Sequence, residues 1–183
     1  MQSLLDGNER FRNGQSKHYQ YHPEFISELA KGPKPRAAIV SCIDARVAPE
    51  VLFDQPLGTL FVSRVPGNVA SDSAKWMLEI AVTDLKVPLL VVLGHTECLA
   101  IKGVIESATG SGGSLRMDVS RAVHTAKMRH PQDLFFEAVK ENAKQTSELL
   151  RAESFAVRQA VNQGELDVVT GIYDVHSGRV ELL

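Results

Sequence analysis

Leu89-Leu90-Val91-Val92-Leu93 is apolar at every position, too short for a helix and preceded by Pro88. A run of that kind reads as a strand covered on both faces, which calls for a parallel sheet with helices above and below it. Ala37-Ala38-Ile39-Val40-Ser41, led in by Lys34-Pro35-Arg36, reads the same way, and Thr59-Leu60-Phe61-Val62-Ser63 is a further β-rich run. Helical patterns lie around and between these runs. Ser3 to Phe11 and Pro23 to Ala30 precede the first strand, the second ending at Lys31-Gly32-Pro33. Pro49 suits the first turn of a helix through Phe53. Asp72 is placed to cap a helix whose Trp76, Met77, Ile80, Ala81 and Leu85 keep helical spacing. Another helix is expected from Thr96 through Ile105, broken by Thr109-Gly110-Ser111-Gly112-Gly113-Ser114, a surface loop rather than a linker. Gln132 to Leu150 and Ser154 to Asn162 are helical, and Asp167 to Tyr173 and Arg179 to Leu182 form a terminal strand pair joined by His176-Ser177-Gly178. The expected fold is α/β: a mostly parallel central sheet flanked by helices, with an N-terminal helical arm over residues 1–34 and a C-terminal antiparallel edge strand. A chain of 183 residues fits one domain, 1–183.

Charge and cysteine content narrow the function. The chain has 20 Lys and Arg against 22 Asp and Glu, a net charge of −2, which gives no reason to expect nucleic acid or an anionic membrane as partner. The apolar stretch from Val87 to Leu93 falls far short of the roughly 20 residues of a membrane helix. Acidic and polar residues occupy the N-terminus where a signal peptide needs an apolar run. A cytoplasmic location is expected. Two cysteines cannot make a disulfide framework, so any special role for them points to metal or catalysis.

Both cysteines follow predicted strands. Cys42 lies in Ser41-Cys42-Ile43-Asp44-Ala45-Arg46, and Cys98 in Gly94-His95-Thr96-Glu97-Cys98. Functional groups in open α/β sheets gather at the carboxyl ends of strands, so Cys42, His95 and Cys98 converge if the two strands are neighbours. Two thiolates and an imidazole suit zinc and leave one tetrahedral position open, the pattern of a catalytic site. Cys98 is expected in the first turn of its helix, where free backbone N–H groups favour a thiolate. The spacing alone is equally compatible with two inert buried cysteines.

The combination resembles the β-class carbonic anhydrases. Cys42-Ile43-Asp44-Ala45-Arg46 matches their C-x-D-x-R motif and Gly94-His95-Thr96-Glu97-Cys98 their G-H-x-x-C motif. The likeness extends to Val51-Leu52-Phe53-Asp54-Gln55-Pro56, to Arg64 with Gly67-Asn68, to Ile101-Lys102-Gly103 and to Tyr173-Asp174-Val175 with Gly178 and Val180. It implies that Cys42, His95 and Cys98 hold Zn2+, with water or hydroxide in the fourth position. It implies reversible hydration of CO2 to bicarbonate and a proton by zinc-bound hydroxide. Zn2+ with two thiolates and a neutral imidazole sums to zero charge, so the site polarises its water less than a three-histidine site and needs help from neighbours. The resemblance supplies that help as a dyad, Asp44 accepting a hydrogen bond from the hydroxide and Arg46 holding the carboxylate. It also gives Asp44 as a possible fourth metal ligand in a closed, inactive form favoured at lower pH. Gln55 and Tyr173 match substrate-binding and pocket-lining positions, whereas Arg64, Gly67 and Asn68 shape the neighbouring loop. His18, His22, His124, His130 and His176 read as surface or structural residues.

Two departures bear on substrate. Leu99 follows Cys98 where the family usually has a small residue, and Pro66 stiffens the loop before Gly67-Asn68. A carbonyl sulfide or carbon disulfide hydrolase on the same zinc site is the enzymatic alternative. A non-catalytic zinc protein that binds bicarbonate is the alternative from another class, against which the intact Asp44 and Arg46 weigh. The resemblance further implies a homodimer or homotetramer associating through N-terminal helices and sheet edges.

Overall fold

The computed structural model describes residues 1–106 and 113–183. Its centre is a five-stranded sheet built from β1 (Ala37–Cys42), β2 (Leu60–Val65), β3 (Leu89–His95), β4 (Asp167–Tyr173) and β5 (Val180–Leu182), in the order β2-β1-β3-β4-β5. The first four strands run parallel and β5 pairs antiparallel with β4. The fold class is therefore the expected one. β1 and β3 are buried at every position, which is why they read as unbroken apolar runs.

Alternate residues of these strands feed two cores. Ala38, Val40, Leu90 and Val92 pack with Ala74, Leu78 and Ala81 of α4 (Asp72–Thr83) and with Val157 and Ala160 of α8 (Phe155–Asn162). Ile39, Val91 and Leu93 point to the other face, against Leu4 of α1 (Gln2–Arg12) and Leu52 of α3 (Pro49–Leu52). A third cluster joins Cys42, Cys98 and Ile172 to Ile101 of α5 (Leu99–Glu106), Val119 and Val123 of α6 (Gly113–Met128), and Ala138, Val139 and Ala143 of α7 (Leu134–Glu153). That cluster sits at the carboxyl ends of β1 and β3.

Several boundaries differ from expectation for local reasons. The cap of α4 is Ser71, whose hydroxyl accepts from the Ala74 N–H at 3.2 Å, and Asp72 is the first helical residue. Helix α5 starts at Leu99 rather than near Thr96, because Thr96 and Glu97 form a turn with Glu97 at φ +57°. Cys98 thus stands one residue ahead of its helix. The loop expected over Thr109 to Ser114 lies, as far as Gly112, outside the described residues, and Gly113 and Ser114 begin α6. Helix α6 escaped the sequence reading because the residues it buries, Val119, Ala122, Val123 and Ala126, are small.

The stretch before β1 divides in two. Helix α1 docks on its own chain: Asn8, buried, donates to the Leu52 and Gly178 carbonyls at 3.0 and 2.8 Å and accepts from the Val180 N–H at 2.9 Å. Gly7 lies so close to the Phe53 carbonyl that a Cβ there would stand 1.8 Å from its oxygen. By contrast, α2 (Pro23–Leu29) buries none of its residues. Among the described residues, no helix is long and apolar enough to cross a membrane.

Candidate metal centre

The β1–β3 pairing, with Ser41 opposite Leu93, brings the two cysteine segments together. Cys42 ends β1, His95 ends β3, and Cys98 follows the Thr96-Glu97 turn. All three are buried, and their ligand atoms lie within 4.8 Å of one another. The two sulfurs are 4.0 Å apart. A disulfide needs about 2 Å, whereas two sulfurs on one tetrahedral zinc stand about 3.8 Å apart at a Zn–S distance of about 2.3 Å. The separation fits a shared metal, and both cysteines are free thiols.

The orientation of His95 fits as well. Its Nδ1 lies 2.8 Å from the Thr96 carbonyl and donates to it, since a carbonyl can only accept. The unprotonated Nε2 then faces the sulfurs, fully buried and without a hydrogen-bond partner. An orphaned acceptor of this kind is costly unless something coordinates it. The thiols are coupled. A proton shared with Cys98 holds Cys42 well below the ordinary thiol range against the opposing effect of burial, and the Asp44 and Gly67 N–H groups add to this. The same shared proton, with burial, pushes Cys98 up, although the Ala100 and Ile101 N–H groups at the start of α5 pull the other way. A divalent cation replacing that proton would let both sulfurs exist as thiolates.

Asp44 stands with Arg46 rather than within the trio. Its Oδ1 accepts from the Arg46 backbone N–H at 2.9 Å and Nε at 3.0 Å, and its Oδ2 from Nη2 at 2.7 Å. Those bonds hold its carboxyl down at about 2. Arg46 Nη2 also donates to the Glu97 carbonyl at 3.0 Å, so one guanidinium ties the Cys42 loop to the Cys98 loop. Arg64 clamps the same region, donating to the Cys42, Ile43 and Asp44 carbonyls at 3.1, 3.1 and 2.7 Å. Asn142 of α7 donates to the Gly67 carbonyl at 2.6 Å. Sequence offered no signal for Asn142, because one Asn in a helical pattern reads as part of a polar face.

The remaining candidates lie further from the chemistry. Gln55 Nε2 donates to the Phe53 and Asp54 carbonyls, within its own turn. Tyr173 pairs in register with His95 but is buried in the core cluster with Leu4 and Val180. Leu99 is exposed, at 69%, so it lies outside the buried trio. His176 is exposed and 3.8 Å from Glu97.

A mostly parallel sheet with a buried Cys2His trio at adjacent strand ends defines an α/β protein with a cluster able to hold a metal ion. The carbonic anhydrase family profile matches residues 37–180, and the chain belongs to that family, as one of its β-class enzymes. Carbonic anhydrase 2 of Mycobacterium tuberculosis is 36% identical over 185 residues, covering 98% of this chain and 89% of that protein. Carbonic anhydrase of Mycolicibacterium smegmatis is 38% identical over 188 residues, covering 98% and 90%. Among solved structures, the Coccomyxa β-carbonic anhydrase in complex with acetazolamide superposes with a TM-score of 0.79 at 27% identity, covering 98% of this chain and 84% of that one. A tetrameric β-carbonic anhydrase from Sordaria macrospora shares the fold at a TM-score of 0.76 and 23% identity, covering 88% and 87%.

Proposed function

We propose that the chain hydrates CO2 reversibly to bicarbonate and a proton at a zinc ion held by Cys42, His95 and Cys98. One observation carries the reading: the bare, buried Nε2 of His95 beside two thiol sulfurs. Zinc in that site supplies the Lewis acidity that makes water nucleophilic near neutral pH. The chain's own residues do the rest. Asp44 is an ionised acceptor held by Arg46 through both oxygens, with one lone pair left on Oδ2 to take a hydrogen bond from water and set the direction of its attack on CO2. Arg46 and Arg64 keep the Cys42 loop rigid, so that direction is fixed before substrate arrives. CO2 is neutral and apolar, and Ile43 and Leu99, the exposed residues that directly follow the two cysteines, offer it an apolar approach. Substrate contact by Gln55 would exchange its two bonds to its own turn for a bond to bicarbonate.

The exposed Val51 and Leu57 support association of the chain with itself, as a homodimer or homotetramer. Thiols that must stay reduced to bind metal support a cytoplasmic setting. Stopped-flow CO2 hydration by zinc-loaded protein tests the reading. The expected result is rapid hydration that is abolished in Cys42→Ala and strongly reduced in Asp44→Asn. Hydration no faster than in buffer, or unchanged in Cys42→Ala, would overturn it.

A further inference from the structure

Between His95 and Cys98 the chain makes a tight turn through Thr96 and Glu97, with Glu97 in the left-handed region at φ +57°. A non-glycine residue persists there only where its surroundings hold it. Glu97 is held through its carbonyl by Arg46. Thr96 is held by the end of β4 and the turn that follows. Its N–H donates to the Tyr173 carbonyl at 2.9 Å, its hydroxyl donates to Asp174 Oδ1 at 3.1 Å, and the same hydroxyl accepts from the Val175 N–H at 3.0 Å. Asp174 is fixed in turn by the His176 and Ser177 N–H groups and the Ser177 hydroxyl. The carbonyl of this immobilised Thr96 is the one that receives the His95 Nδ1 proton.

We infer that Thr96 and Asp174 are positioning residues for the metal centre: the Asp174 carboxylate fixes Thr96, and the Thr96 carbonyl fixes the tautomer and ring plane of His95. The inference rests on His95 being a zinc ligand. Neither residue belongs to the ligand trio, and both act through the His95 ring. The chain's last strand pair thereby becomes part of the metal site, although its side chains supply no ligand. Acceptors that orient metal-bound imidazoles typically change metal affinity about 10- to 100-fold when disturbed.

The experiment uses the full zinc-loaded chain, 15N-labelled at histidine, as parent, Thr96→Val, Thr96→Ser and Asp174→Asn. Two quantities are read well below each melting temperature: the rate of zinc release to a chelator, and the NMR signal and solvent exchange of the His95 Nδ1 proton. Thr96→Val and Asp174→Asn are expected to release zinc about 10- to 100-fold faster and to exchange the Nδ1 proton faster, with Thr96→Ser restoring both. Variants that melt earlier but keep parental zinc release and a parental Nδ1 signal would show a brace for the strand pair only and overturn the positioning role. A parent that takes up no zinc would overturn the metal reading itself and this inference with it.

Discussion

Arg46 links the two cysteine-bearing loops. Its guanidinium satisfies both Asp44 oxygens and the Glu97 carbonyl, so removing it frees the proposed acceptor and the turn before Cys98 together. Arg46→Ala is expected to lower CO2 hydration by about 10- to 100-fold, read by stopped flow, while Arg46→Lys, which cannot make the forked contact, recovers little. The same pair has a pH signature. Asp44 is held down at about 2, below an ordinary carboxyl, so the pair's contribution to stability is complete above the unfolded carboxyl range and is lost as pH falls through 2. An NMR titration of the Asp44 carboxyl carbon should therefore be flat from pH 5 to 9 in the parent. In Arg46→Ala its midpoint should move up toward the ordinary value, and an unmoved midpoint would contradict the assignment of Arg46 as the cause. Cys42, His95 and Cys98 were legible as candidates because residue type and strand-end position are written locally. The Glu97 conformation was not, since a left-handed residue is normally flagged by Gly or Asn and here is a Glu held by contacts from elsewhere.

At the scale of elements, docking of α1 depends on one buried side chain. Asn8 bonds to the end of α3 and, through Gly178 and Val180, to the turn before β5 and its first residue, across as many as 172 residues of sequence. Asn8→Ala leaves the Leu52 carbonyl and the Val180 N–H buried without partners, at about 1–3 kcal/mol each. A loss of at least about 2 kcal/mol in urea unfolding is expected, and a parental midpoint would show that α1 is not docked in this way. Gly7→Ala should be destabilising for a separate reason, because the Phe53 backbone occupies the space its Cβ would need. Neither effect could be read from the sequence, where Gly7-Asn8 looks like a weak spot in a short helix. β1 and β3 were readable because burial on both faces leaves a continuous apolar trace, and β4 because its residues are β-formers between clear breakers. Helix α6 was not, because its buried Val119, Ala122, Val123 and Ala126, although at helical spacing, are only Val and Ala and make a weak apolar signal.

For the whole molecule, metal and fold are coupled through the third core. Cys42 and Cys98 sit in the same cluster as the apolar residues of α5, α6 and α7, so a metal at the cysteines braces the layer that closes the carboxyl end of the sheet. Zinc that binds only the folded chain stabilises it by about 4 kcal/mol at a free concentration a thousandfold above Kd. Chelation should accordingly lower the melting temperature by several degrees and zinc should restore it, while Cys98→Ala should melt at the same temperature with and without zinc. The most direct measurement is X-ray absorption at the zinc edge on the zinc-loaded chain, with Cys42→Ala and Cys98→Ala alongside. Two sulfur ligands with imidazole are expected in the parent, with one sulfur fewer in any zinc retained by either variant. Zinc bound without sulfur, or with the same sulfur count in all three proteins, would contradict a centre built from Cys42, His95 and Cys98.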